Sequence, residues 1–209
     1  MNFSKVNISI VILFILHLVG VVGLSSDYQD LFLRLTPLNL LLSFGLFIWA
    51  NNDFSIQFYK VMIILYSLGF LVEVIGVSTG VLFGEYTYGV TLGFKFLETP
   101  LMIGVNWILL SLASFGVSSF FLKKQLHIIL LSSSLMVLMD VLIEPIAISL
   151  DFWTWALVDI PLQNYLMWFF VSLIMNALIS FNRLKIDYRI SFGLLLSQIL
   201  FFTLISLSL

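Results

Sequence analysis

Long apolar runs separated by short polar segments make up nearly the whole chain. Seven of these runs approach the length of about 20 residues that a helix needs to cross the hydrocarbon core of a bilayer. They lie near residues 6–24, 31–50, 59–83, 99–121, 126–148, 161–181 and 189–208. The pattern predicts an all-α, polytopic membrane protein in which residues 1–209 form a single transmembrane domain, a bundle of about seven helices.

The composition agrees with this interpretation. Hydrophobic residues make up 61% of the chain and charged residues only 10%, and the mean hydropathy is +1.15, values that exclude an ordinary soluble domain. The chain has no cysteine, which excludes disulfides and thiol nucleophiles, and its two histidines are too few for a histidine-built metal centre. We therefore expect no metal, no cofactor and no nucleic-acid partner.

The basic residues indicate the orientation in the membrane. With a cytoplasmic N-terminus, Arg34 and Lys95 face outward and the other basic residues face inward, as the positive-inside rule requires. The inward-facing residues are Lys5, Lys60, Lys123, Lys124, Arg183, Lys185 and Arg189. The first run resembles a signal peptide, but it is longer than the apolar region of one, so we interpret it as a retained span. We expect a multi-pass protein of the cell (inner) membrane.

One carboxylate stands out at the end of the third run. Glu73 lies in an apolar segment, where a charged side chain is costly unless it is paired, protonated or used. It is therefore a candidate catalytic residue, and the alternative is a hydrogen bond to a neighbouring helix. Glycines at four-residue spacing follow it and predict a smooth helix ridge for close packing. These glycines are Gly76, Gly80 and Gly84.

Two tyrosines follow the glycines in a segment too polar to cross the bilayer. Tyr86 and Tyr88 are expected at the outer interface, either as a headgroup belt or as part of a site. The next span is predicted to open with Thr99 as its N-cap and Pro100 at its first helical position.

A second acidic group lies in the fifth run. Asp140 and Glu144 are four residues apart and share one helix face, and Pro145 is predicted to break the helix after them. Two carboxylates this close in a poorly solvated setting do not both ionise easily, so one is expected to keep its proton, as a general acid must. The alternative is a shared-proton hydrogen bond that only clamps helices together.

Polar and aromatic side chains of several helices are predicted to meet these acids in the outer leaflet. An amide or carboxylate within a span needs a partner, and co-location in one leaflet is typical of a pocket. Aromatic walls beside carboxylates suit an apolar substrate that becomes a cation during reaction. His17, alone in its run, is expected to make an interhelical hydrogen bond. The added candidates are Asn106, Trp107, Trp153, Trp155, Asn164 and Trp168, with Pro161 as a structural residue.

The order of these motifs resembles the integral-membrane carotenoid hydratases, the carotenoid biosynthesis proteins of the γ-carotene 1′-hydratase and bisanhydrobacterioruberin hydratase types. The resemblance covers residues 73–168. It rests on E-x2-G-x3-G-x3-G-x-Y-x-Y from Glu73, P-x5-N-W from Pro100, D-x3-E-P from Asp140, W-T-W from Trp153 and P-x-Q-N-Y-x2-W from Pro161. Where the family block reads D-x3-D-P, this chain has Glu144 in place of the second aspartate. The position keeps a carboxylic acid, on a longer side chain.

The resemblance implies addition of water across the terminal double bond of an acyclic ψ end group, in a carotenoid of the lycopene or γ-carotene class, to give a tertiary alcohol. Asp140 or Glu144 would give the proton. Aromatic side chains would shelter the cation, and Glu73 with Asn106 or Asn164 would hold the attacking water. The substrate would enter from the lipid bilayer.

Three other functions are known for membrane proteins of this general kind. A carotenoid end-group cyclase would use the same acid and cation and differ only in excluding water. A membrane carotenoid binder or transporter would also place polar groups between helices, although the chain shows no convincing internal repeat of the kind many transporters have. A retinal-binding protein needs a lysine in the last span, and residues 190–209 contain none.

Overall fold

Seven α-helices form the framework of the computed structural model, which describes residues 4–208. The helices are α1 Lys5–Leu24, α2 Gln29–Asn51, α3 Ile56–Thr79, α4 Leu101–Phe121, α5 Gln125–Ser149, α6 Leu162–Phe181 and α7 Tyr188–Ser208. All seven are long and apolar enough to cross a membrane, which confirms the predicted all-α, multi-pass class. The cytoplasmic location of the N-terminus stays a prediction.

Helix α4 lies at the centre of the bundle. In its most apolar window 83% of the residues are buried, and it packs against α2, α3, α5, α6 and α7. Helix α1 packs on α2 and α7 at one side of the bundle, and α5 packs on α6 at the other. The side chains of α4 therefore meet those of most other helices, which makes it the common wall of any internal cavity.

Four short strands lie in the connections at one end of the bundle. Strand β1 (Tyr86–Tyr88) follows α3 and pairs antiparallel with β4 (Trp153–Trp155), which follows α5. Strands β2 (Lys95–Phe96) and β3 (Thr99–Pro100) form a second antiparallel pair just before α4. Because successive side chains of a strand point to opposite faces, β1 and β4 each send two aromatic rings to one side.

The predicted glycine ridge is wrong. Helix α3 ends at Thr79, so the third span is shorter than the predicted run to residue 83. Gly80 follows as the C-cap with a left-handed φ of 65°, and Gly84 lies in the loop with φ of 109°. Glycine adopts these angles without a Cβ clash, which is why the helix stops there. Gly76 remains helical, and a Cβ there would lie 2.9 Å from the Tyr86 hydroxyl.

Two predictions about proline and its neighbours are also wrong. Helix α5 continues through Pro145 to Ser149, since a membrane helix tolerates a proline when neighbouring groups compensate for the missing N–H. Thr99 belongs to β3 and does not cap α4; Pro100 is the N-cap residue, with extended backbone, and the helix begins at Leu101. Pro161 occupies the same N-cap position before α6.

Candidate active site

Glu73 is buried near the end of α3 and accepts three hydrogen bonds. The hydroxyls of Tyr86 and Tyr88 donate to its Oε2 at 2.6 and 2.7 Å, and the indole N–H of Trp107 donates to its Oε1 at 2.8 Å. The alternation of β1 places both phenols on the same side, above the helix end. Three donors around one buried carboxylate are the arrangement that stabilises its negative charge.

The second acidic group lies on α5 and is bound by three further donors. The indole N–H groups of Trp153 and Trp155 both donate to Glu144 Oε2 at 3.0 Å. The amide of Asn164 donates to Asp140 Oδ2 at 2.8 Å and to Glu144 Oε1 at 3.1 Å, which joins the two acids. Asp140 Oδ1 is buried and has no hydrogen-bond partner among residues 4–208.

The pairing of β1 with β4 brings the two acidic groups to one pocket. Tyr86 lies opposite Trp155 and Tyr88 opposite Trp153, with ring centroids 5.2 and 6.1 Å apart. The pocket has a volume of about 20 Å³, close to what one water molecule needs. Its lining consists of Glu73, Phe83, Tyr86, Tyr88, Ile103, Glu144, Trp153, Trp155, Asn164 and Trp168.

Most of the predicted site residues therefore lie together. Trp107 is fully buried behind the pocket, where its ring stacks on Trp168 with centroids 4.0 Å apart. Asp140 is equally buried but does not line the pocket, which it reaches only through Asn164 and Glu144. Asn106 is not brought to the acids at all, because its side chain lies on the wall of a second cavity.

This second cavity is larger, about 220 Å³, and mainly apolar. Helices α1, α2, α4 and α7 form most of its wall, and Ile103 and Trp153 line both it and the small pocket. His17 lies on its wall and hydrogen-bonds within its own helix to Leu13, so the expected interhelical hydrogen bond is absent from the described residues.

Two residues of the small pocket and two amides of the larger cavity were not found from the sequence. Phe83 and Ile103 carry no signal that separates them from other apolar residues. Asn39 and Gln198, on the wall of the larger cavity, are amides within apolar runs. That is the same signal that singled out Asn106, and it would have found them.

The two phenols that bind Glu73 are neutral donors. Burial raises the pKa of Tyr86 and of Tyr88, and the neighbouring Glu73 carboxylate raises both further. They therefore stay protonated at neutral pH. Within residues 4–208, no group of three or more His, Cys, Asp or Glu side chains is placed to hold a metal ion.

Comparison with known proteins supplies the family. The chain is 31% identical over 129 residues to the bisanhydrobacterioruberin hydratase of Haloarcula japonica, an alignment that covers 52% of this chain and 39% of that protein. The chain thus spans well under half the length of this relative. No solved structure matches the present chain. Residues 37–209 match the family described as carotenoid biosynthesis protein. Because this match extends over most of the chain, the protein belongs to the carotenoid biosynthesis protein family.

Proposed function

We propose that the protein is a carotenoid hydratase that adds water across the terminal double bond of an acyclic ψ end group to give a tertiary alcohol. The observation that carries this proposal is the pocket lined by both Glu73 and Glu144 and walled by Tyr and Trp rings. The family and the hydratase relative support a carotenoid as the substrate, of the lycopene or γ-carotene class.

The proton comes from the Asp140–Glu144 pair. Within residues 4–208 the one ion pair joins Arg189 and Asp187, so no cation neutralises the three buried acids of the site. Buried carboxylates without a cation do not all ionise, and two that interact closely share a proton. Glu144 is the member that lines the pocket, so it meets the substrate, and Asp140 is a positioning residue behind it.

The reaction balances without a cofactor. The Glu144 proton adds to the less substituted carbon of the terminal double bond, whose π electrons form the new C–H bond. The tertiary cation left on the neighbouring carbon is stabilised by the faces of Tyr86, Trp153 and Trp155 and by the charge of Glu73. A water oxygen then bonds to the cation, and its proton passes to Glu73. Return of that proton to the acid pair completes the cycle.

The end group enters from the larger cavity. The small pocket holds about one water molecule, so an isoprenoid end group fits only if the side chains between the two spaces move. Ile103 and Trp153 are those side chains, because they line both spaces. The apolar cavity would then hold the adjoining part of the polyene.

The test is to express the protein in cells that accumulate lycopene or γ-carotene and to measure pigment masses. We expect a product heavier by one water per hydrated end. The variants Glu73→Gln, Glu144→Gln and Asp140→Asn are expected to lower the rate about 10²- to 10⁴-fold, as loss of an acid or base does. The exposed acids Glu85, Glu98 and Asp159 provide matched controls, changed to the corresponding amides.

Full hydration by all three site variants would remove these acids from the mechanism. A cyclised product of unchanged mass would instead make the protein an end-group cyclase. Carotenoid bound to the purified protein and recovered unchanged would make it a binder or transporter.

A further inference from the structure

The larger cavity carries polar groups that a hydrocarbon does not need. Gln198 on α7 and Asn39 on α2 line it, and the side-chain oxygen of each is buried without a hydrogen-bond partner in the described chain. Gln198 is 5% exposed and His17 on α1 is 7% exposed, so both are more than nine-tenths buried. An unsatisfied buried polar group costs about 1–3 kcal/mol, which α2 and α7 would not each retain without a partner for it.

The histidine is arranged to take part in the same site. Its Nδ1 lies 2.7 Å from the Leu13 carbonyl oxygen, which only accepts, so Nδ1 carries the hydrogen. In the neutral ring Nε2 is then an acceptor. The ring also contacts Phe201 edge-on, and Phe201 lies three residues after Gln198, on nearly the same face of α7. His17 and Gln198 therefore line the larger cavity from α1 and α7, two helices that pack against each other.

These groups lie deep in the bundle. The Ser25 hydroxyl donates to that of Ser208 at 3.1 Å, so the end of α1 and the end of α7 are at the same membrane face. Asn39 and Gln198 each lie about ten residues from that end of their helix, or roughly 15 Å along the helix axis. Glu144 lies only about five residues from the end of α5, so Asn39 and Gln198 are deeper than Glu144, the acid of α5 that lines the small pocket.

We propose that His17, Asn39 and Gln198 form a second binding site, which takes a hydroxyl group inside the larger cavity. A hydroxyl both donates and accepts, so it satisfies an amide, an imidazole acceptor or both. Two molecules supply one: an alcohol group on the carotenoid itself, or a water molecule held beside the polyene. The inference that a carotenoid alcohol occupies the site rests on the proposed function, whereas the inference that the cavity holds a polar binding site does not.

The test measures binding to purified protein, without turnover. The probes are lycopene and the tertiary alcohol that its hydration gives. Their binding is measured by quenching of the tryptophan fluorescence, to which Trp153 on the cavity wall contributes. The variants are Gln198→Leu and Asn39→Leu. Thr203→Leu is the matched control, since it makes the same kind of change at an exposed position of α7.

If the site holds the carotenoid alcohol, each variant raises the Kd of the alcohol about 5- to 100-fold and leaves that of lycopene unchanged. If it holds water, both Kd values stay the same and the rate of hydration of lycopene falls. Unchanged binding and unchanged rate in both variants would overturn the proposal. Because the binding arm needs no reaction, its result stands even if the protein proves not to hydrate its ligand.

A stability measurement separates a binding site from a structural one. Since the side-chain oxygen of Gln198 has no hydrogen-bond partner among residues 4–208, Gln198→Leu is expected to leave the Tm of ligand-free protein unchanged or raise it. A clear fall in Tm, with no change in ligand binding, would show that the amide only supports the fold.

Discussion

At the scale of single residues, the site consists of carboxylates surrounded by donors that stay neutral. Tyr86 and Tyr88 bind Glu73 through hydroxyl groups, and Trp153 and Trp155 bind Glu144 through indole N–H groups. Such donors stabilise negative charge without contributing a positive charge of their own. The site thus keeps a net electronegative character, which agrees with the cationic intermediate of the proposed hydration.

The two phenols lead to a prediction about alkaline pH. Their pKa values are raised, so in an absorbance titration Tyr86 and Tyr88 should not form tyrosinate near pH 10, where unperturbed tyrosine does. Replacing either by Phe should leave the tyrosinate signal in that range unchanged. Because the unfolded state loses these protons first, the free energy of unfolding should fall as pH rises above about 10.

If Tyr86→Phe or Tyr88→Phe lowered the tyrosinate absorbance near pH 10 by the amount expected for one tyrosine, the prediction would be wrong. It would mean that the phenol in question is solvated and does not bind Glu73 from a buried position.

The acids themselves were predictable from the sequence, and the reason is physical. A carboxylate in an apolar run is rare enough to mark a site, so Glu73, Asp140 and Glu144 were all found. Asn106 carried the same kind of signal but lies on the other cavity. The rotation of a helix about its axis decides which neighbour a side chain meets, and a helix that is apolar all round does not reveal it.

At the scale of elements, the β1–β4 pair is what joins the two halves of the site. It brings the loop after α3 to the loop after α5 and fixes which tyrosine faces which tryptophan. Gly89, just after β1, donates its N–H to the Phe152 carbonyl, and its Cα lies against the Asp151 backbone. This close approach leaves no room for a side chain.

We therefore expect Gly89→Ala to separate the two strands. The added Cβ would lie 2.1 Å from the Asp151 carbonyl oxygen, so the backbone must move, at a typical cost of about 1–3 kcal/mol. Thermal unfolding should show a lower Tm, and pigment analysis a lower rate of carotenoid conversion. Gly45→Ala in α2 is the control, since nothing lies within 4 Å of its added Cβ. A wild-type Tm for Gly89→Ala would mean that the strands tolerate displacement.

The strand pair could not be predicted from the sequence, and the glycine ridge shows why. Four-residue spacing fits a helix face, but it fits a loop equally well when the glycines adopt positive φ angles, as Gly80 and Gly84 do. The pairing of β1 with β4 depends on contacts between segments more than sixty residues apart. Local patterns do not contain that information.

At the scale of the whole molecule, the number of helices was predictable, because seven apolar runs of spanning length admit few other folds. The direction in which they cross the membrane stays a prediction from the basic residues. The absence of cysteine in the chain makes this direction testable.

Single cysteines introduced by Asp53→Cys, between α2 and α3, and by Asp159→Cys, between α5 and α6, lie on opposite membrane faces in the predicted topology. With the N-terminus in the cytoplasm, a membrane-impermeant maleimide should label the second variant in intact cells and the first only after permeabilisation. The reverse labelling pattern would show the opposite topology, with the acids in the inner leaflet. The unmodified chain, which carries no thiol, is the control for background labelling.

The sequence positions of the hydrogen-bond donors bear on how the protein is made. Tyr86 and Tyr88 come 13 and 15 residues after Glu73, and Trp153 and Trp155 come 9 and 11 residues after Glu144. During synthesis from the N-terminus, each of these glutamates thus leaves the ribosome shortly before the loop whose side chains donate hydrogen bonds to it. Each can be shielded soon after its helix enters the bilayer, so a nascent chain spends little time with an exposed acid in lipid.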